Sequence, residues 1–314
     1  MKEFVTVKNL TKNYGEFTAV DDLSFEVEEG EVFGLLGPNG AGKSTTLSII
    51  TTLLSGDKGK VMVAGVDVKK DKMEAKKLMG IVPQEIALYP HLTAIENVKF
   101  FASLYGLRGK KLEEEARRAL DFVGLSEHNK EKPKKMSGGM QRRLNIACGI
   151  AHRPRLIVMD EPTVGVDAQS REHILNSIRT LKEHGTTIIY TSHYLQEVEE
   201  ICDRIAIMDH GKLVAAGTKD ELVGLVTDYK SFYITTAQKV EDFDELKQAI
   251  SFLPGIKNIT IKEDTTRVDI NNGEDSLSKI LSIFMKRGLT ITNVNGEVPN
   301  FDTVFLALTG HELR

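Results

Sequence analysis

Cysteine is scarce. Only Cys148 and Cys202 occur among 314 residues, both in segments that read as helix, so a disulfide framework is excluded. There is no Cys-x-x-Cys pair and no histidine-rich spacing, which removes a structural zinc site. Uninterrupted apolar stretches of about 18 residues are missing too, so no segment is expected to span a bilayer. The opening residues, MKEFVTVKNLTKNYG, lack the apolar core of a secretory leader, and the chain is expected in the cytoplasm. Neither charge sign is in large excess: 41 basic residues stand against 45 acidic ones, a net charge of −4. That balance argues against a chain whose main task is to grip DNA or RNA, and the lysine-rich run KEKPKK at 130–135 reads as a solvated loop.

What the chain does have is alternation of strand and helix patterns. FVTVKNL, LSFEVEE and GKVMVAG alternate as antiparallel strands do, whereas VFGLLG, RLIVMDEP and TTIIYTSH are continuous apolar runs, as expected of strands covered on both faces. Helical patterns follow, in KSTTLSIITTLL and SREHILNSIRTLKEHG. Between residues 86 and 150 the strand signals vanish, and AIENVKFFASLYG, LEEEARRALDFVG and GGMQRRLNIACGIAH read as a helical insertion. After Gly217 the rhythm changes to strand SFYITTA, helix DFDELKQAISFL, strands IKNITIKE and RVDINN, helix DSLSKILSIFMKRG and strand LTITNVNGEV. That β-α-β-β-α-β order predicts a split βαβ, ferredoxin-like domain. The expected division is 1–224 and 225–314, with no internal repeat linking the two parts.

The segment GPNGAGKST at 37–45 fits G-x-x-x-x-G-K-[ST], with a buried strand before it and a helix after it, as a phosphate-binding loop requires. Gly37, Pro38, Asn39, Gly40, Ala41 and Gly42 form the turn whose N–H groups cradle phosphate oxygens, aided by the partial positive charge of the helix N-terminus. Lys43 supplies an ammonium for the β- and γ-phosphates, and Ser44, followed by Thr45, a hydroxyl for Mg²⁺. Asp160 closes the apolar run of RLIVMDEP, placed to hold Mg²⁺, and the next residue, Glu161, is placed to polarise an attacking water. A guanine-reading Asn-Lys-x-Asp is missing, since the nearest match, NKEK from Asn129, ends in Lys132. The expected nucleotide is therefore ATP.

With MSGGMQRRL at 136–144, the loop and LIVMDEP together resemble the nucleotide-binding subunit of an ABC transporter. The family signature is commonly leucine-serine-glycine-glycine-glutamine; Ser137, Gly138 and Gly139 are intact, while Met136 and Met140 depart from it. The resemblance implies an α/β P-loop cassette with a mixed sheet core, an antiparallel β subdomain and a helical insertion. It also implies that two copies sandwich ATP head to tail, each signature facing the other's γ-phosphate. Gln84 matches the glutamine that approaches Mg²⁺ and the attacking water, and His193 the switch histidine of the γ-phosphate. Asp167 matches the aspartate of the loop between subunits, with Val166 and Ala168 in place of the more frequent leucine and proline. Tyr14 matches the aromatic that stacks on adenine.

The tail FDTVFLALTG at 301–310 is similar to that of the drug-resistance and sodium-efflux branch, whose members carry an extra C-terminal domain and pair with a separately encoded permease. This implies an ATP-hydrolysing subunit powering export, peripheral on the inner face of the membrane, with LTAIENVKFFASLYG as the dock. A soluble ABC-type ATPase acting on nucleic acid or ribosomes is the alternative. A single phosphate loop, a single signature and the absence of sustained heptads count against it.

Overall fold

The computed structural model describes residues 2–192, 194–226, 229–239, 243–271, 274–297 and 301–310. The chain divides into two compact units, Met1–Lys219 with Leu308–Arg314, and Asp220–Ala307.

In the first unit the chain runs β1 (Glu3–Tyr14), β2 (Phe17–Glu28), β3 (Val32–Leu36), α1 (Lys43–Ile50), β4 (Lys58–Val63), β5 (Val66–Asp67), α2 (Lys72–Leu78) and β6 (Met79–Val82). It continues with α3 (Ala94–Leu104), α4 (Gly109–Phe122), α5 (Gly138–Ile150), β7 (Leu156–Asp160), α6 (Ala168–Glu183), β8 (Thr187–Thr191), α7 (Leu195–Ile201), β9 (Arg204–Asp209) and β10 (Lys212–Gly217). One sheet has the antiparallel order β2-β1-β4-β5; the other has the order β10-β9-β3-β8-β7-β6. In the second sheet every pair is parallel except the β9–β10 hairpin. Its inner strands β3 and β8 are buried throughout, which explains their unbroken apolar runs. One apolar core joins the two sheets, with Phe25 of β2 stacked on Phe33 of β3 at 5.4 Å.

Three strands of this sheet go beyond the sequence reading. β6 is only four residues long and contains Gly80, where a Cβ would fall 2.2 Å from the carbonyl oxygen of Gly149. The glycine that weakens its strand signal is what lets α5 press against it. β9 and β10 form a hairpin whose turn residues, His210 and Gly211, both take positive φ (46° and 79°), as a type I′ turn requires. The expected helical insertion is present as α3, α4 and α5. α3 opens on a capping box, in which Thr93 Oγ1 accepts the Glu96 N–H and Glu96 accepts the Thr93 N–H.

α8 (Lys219–Val226) starts at the boundary and leads through the second unit into β11 (Tyr229–Thr236), α9 (Phe243–Ser251), β12 (Ile256–Lys262), β13 (Thr265–Asn271), α10 (Leu277–Lys286) and β14 (Ile291–Glu297), and α11 (Phe301–Thr309) crosses the boundary again at Leu308. The sheet order β12-β13-β11-β14 is antiparallel throughout, so β11 and β12 run parallel and are split by β13. This is the ferredoxin-like topology that the β-α-β-β-α-β order predicts. Ile234, Val268 and Ile270 of the sheet pack with Leu246, Ile250, Ile280 and Phe284 of α9 and α10. In α11, Val304 and Phe305 are buried and Leu308 is partly so.

Candidate nucleotide-binding and catalytic site

The loop after β3 lies at the carboxyl end of the parallel strands, between two neighbours, β8 and β9. Close approach dictates its glycines. At Gly37 a Cβ would lie 2.2 Å from the carbonyl oxygen of Met208; at Gly42, where φ is 97°, one would lie 2.3 Å from that of Ala19. No side chain caps the N-terminus of α1, and its first turn carries no acid, so its N–H groups are left to face an anion. Lys43 is buried, its Nζ donating to the carbonyls of Gly37 at 2.6 Å and Pro38 at 3.1 Å. Burial draws the Lys43 pKa below the usual lysine value, and the carboxylates of Glu161 and Asp160 oppose that shift.

The acids come from β7. Asp160 ends the strand, and its Oδ1 accepts the hydroxyl of Thr191 at 2.7 Å. Glu161 is 6 % exposed and takes φ 49°, an uncommon conformation for a residue with a Cβ. Its N–H donates to Thr191 Oγ1 at 3.0 Å, so one hydroxyl at the end of β8 holds the Asp160 carboxylate and the Glu161 backbone. Gln84 Nε2 donates to Glu161 Oε2 at 2.7 Å. Gln84 is in turn held from α5, where buried Arg142 donates to the carbonyls of Gln84 at 2.6 Å and Pro83 at 3.1 Å. Burial lowers the Arg142 pKa, with Glu161 pulling the other way.

A cavity of about 370 Å³ collects these groups: the loop from Asn39 to Thr45, Gln84, Glu161, and at its other end Tyr14, Phe17 and Ala19. Tyr14 and Phe17 are a cross-strand pair around the turn at Gly15 and are 48 % and 63 % exposed. Sequence reasoning named Tyr14 and missed Phe17, Thr191 and the hold of Arg142 on Gln84. The only sequence signal for Phe17 was an aromatic two residues beyond the Gly15 turn.

The signature residues form a separate cluster. Ser137 caps α5, its hydroxyl accepting the Met140 N–H at 3.2 Å, as its position before the helix implied. Asp167 caps α6, its carboxylate accepting the N–H and the hydroxyl of Ser170, each at 2.9 Å, and these bonds hold its pKa below the usual aspartate value. The first turns of the two helices pack closely at Gly139, where a Cβ would lie 2.0 Å from Ser170 Oγ and 3.3 Å from Asp167 Oδ2. Ser137, Gly138 and Gly139 do not line the cavity that holds Lys43 and Glu161. His193 lies outside the described residues.

A family model described as ABC transporter matches residues 20–164. The linearmycin resistance ATP-binding protein LnrL of Bacillus subtilis is 43% identical over 309 residues, covering 98% of each chain. This chain belongs to the ABC transporter family. The daunorubicin resistance ATP-binding protein DrrA3 of Streptomyces coeruleorubidus is 31% identical over 312 residues, covering 99% of this chain and 97% of that one. Among solved structures, a dimeric ATP-binding cassette in a post-hydrolysis state with ADP and Pi matches with TM-score 0.63 and 30% identity, covering 68% of this chain and 98% of that one. As an ABC ATP-binding subunit, the chain is an ATPase of the P-loop cassette fold. Among the described residues no helix is long and apolar enough to cross a membrane.

Proposed function

We propose that the chain is the ATP-hydrolysing subunit of an exporter, working as a pair of identical subunits on a separately encoded membrane permease. In this reading residues 1–224 are the motor and 225–314 an accessory domain. The observation that carries it is the split of the site. The cavity holds the phosphate loop, Gln84 and Glu161, while Ser137 and Gly139 stand apart from it, Gly139 close to Asp167. A second copy placed head to tail would bring its Ser137 hydroxyl and α5 N-terminus to the γ-phosphate.

Each residue then has a task. Asn39 to Thr45 cradle the phosphates, Lys43 exchanges its carbonyl partners for β- and γ-oxygens, and Tyr14 and Phe17 flank the base. Ser44, Asp160 and Gln84 offer hydroxyl, carboxylate and amide oxygens, a hard donor set that fits Mg²⁺ completed by substrate phosphates and water. Such an ion, once bound, would neutralise charge on the β- and γ-oxygens. Glu161, fixed by Thr191 and Gln84, orients water for in-line attack and takes up its proton. His193 is assigned to the γ-phosphate by its place in the family motif.

The permease would enter beside Gln84. A largely apolar groove of about 740 Å³ there is lined by Leu53, Met73, Ile81, Pro83, Phe101 and Leu104, among others. Leu53, Met73 and Leu104 are each more than 60 % exposed (64 %, 68 % and 65 %), so the groove offers unpaired apolar surface. Docking would hold the protein at the inner face of the membrane. The names of the relatives in drug resistance and Nod factor export favour outward transport.

The test is Glu161→Gln in the full chain. Steady-state hydrolysis should fall about 10²–10⁴-fold while ATP affinity holds. With ATP and Mg²⁺ the variant should also elute as a dimer, and Lys43→Ala added to it should restore the monomer. Retained turnover, or a monomer at saturating ATP, would count against the reading.

A further inference from the structure

Behind Thr191 lies a buried carboxylate that the Glu161 network does not use. Glu197 of α7 is 3 % exposed, and its Oε2 accepts hydroxyls from Tyr190 at 2.6 Å, Thr163 at 2.7 Å and Ser192 at 2.8 Å. Its Oε1 lies 3.2 Å from Arg171 Nε, an ion pair without hydrogen-bond alignment. The Arg171 guanidinium also lies over the Tyr194 ring, 4.6 Å from its centroid. A buried carboxylate is costly unless its oxygens are fully partnered, and neutral hydroxyls alone would leave its charge unbalanced. The convergence of four groups from the end of β8, the β7–α6 loop and α6 therefore requires explanation.

The partners fall into two groups. Thr163 and Arg171 flank Asp167, the first in the loop between β7 and α6, the second one turn into α6, where its N–H donates to the Asp167 carbonyl. Tyr190 and Ser192 belong to the end of β8, and Ser192 Oγ also accepts the Tyr194 N–H at 3.0 Å. Side chains alternate along a strand, so Thr191 turns to Asp160 and Glu161 while Tyr190 and Ser192 turn to Glu197. The same three-residue stretch thus serves the reacting acids on one side and this carboxylate on the other.

We infer that Glu197 and Arg171 are a positioning pair that locks the Asp167 loop to the end of β8, so that hydrolysis at Glu161 depends on where that loop stands. Neither residue touches nucleotide. The inference rests on the dimer reading above, in which the Asp167 loop and the signature beside it face the second copy. Engagement of that copy would shift the loop. Thr163 and Arg171 would carry the shift through Glu197 to residues 190–192 and, through Thr191, to Asp160 and Glu161.

The experiment compares Arg171→Met, Glu197→Gln and the double variant in the full chain, reading kcat and KM for ATP together with the melting temperature. Arg171 is half-buried, with 37 % of its side chain exposed, so its variant is expected to fold even if the Glu197 variant does not. The expected result is a kcat about tenfold lower for Arg171→Met, with KM within twofold and the double variant no slower than the slower single one. Turnover of folded Arg171→Met equal to the parent, or a change confined to KM or melting temperature, overturns the junction. Multiplying effects in the double variant also overturn it, because two residues of one junction are not independent. A parent chain without turnover would bring down the reading beneath the junction, and the junction with it.

Discussion

At the residue scale, the end of the cavity proposed to face phosphate is held by backbone, and the end proposed to face the base by two exposed rings. Tyr14 and Phe17 project from a two-residue turn with little to pack against, as suits side chains that stack on a ligand. Phe17→Ala should therefore raise the Kd for ATP about tenfold in a fluorescent-nucleotide titration, with kcat at saturation unchanged. An unchanged Kd would leave Tyr14 as the whole of the base platform. The loop at 37–45 and the Asp160–Glu161 pair were legible because their chemistry is written in consecutive residues. Thr191, Arg142 and Glu197 were not, because each acts on a partner made adjacent only by folding: 30 residues separate Glu161 from Thr191, and 58 separate Gln84 from Arg142.

At the element scale, the helical insertion is anchored at both ends. Thr93→Ala removes the capping box of α3 and should cost about 1 kcal/mol, seen as a fall of about 2–4 °C in the melting temperature. At the far end, His152 stacks on Tyr105 with ring centroids 3.4 Å apart, and its Nε2–H donates to the Met79 carbonyl at 3.0 Å. Its Nδ1 is buried with no partner among the described residues, so a second proton would be unsatisfied there. Burial depresses this histidine from 6.5 to about 4. A depressed folded pKa means that the unfolded chain takes the proton first. The contribution is thus fully present above 6.5 and lost as pH falls toward about 4. In melting curves, the stability gap between the parent and His152→Phe should narrow between pH 7 and 4.5; a constant gap would contradict this. Long periodic elements were readable from sequence, including the whole ferredoxin-like order of the second unit. β6 was hidden because Gly80 serves its contact with α5, and β9 and β10 because one buried strand and one half-exposed strand share a single short hairpin.

At the scale of the whole molecule, the signature stands apart from the cavity, and on the proposed reading this separation leaves one chain an incomplete machine. On the proposed reading, the groove beside Gln84 is where such a machine would deliver its motion, next to a residue bonded to Glu161. Family membership was legible because three motifs stand in order along the chain, whereas only one wall of the groove was, the 92–106 segment with Phe101 and Leu104; Leu53, Met73, Ile81 and Cys148 join it only through folding. The most direct measurement is co-purification of full-length Glu161→Gln from its native cells with ATP and Mg²⁺, with identification of the bound proteins. The account predicts a second copy and a multi-spanning membrane protein, both lost when Lys43→Ala is added. Ribosomal proteins or nucleic acid in place of any membrane protein would contradict it.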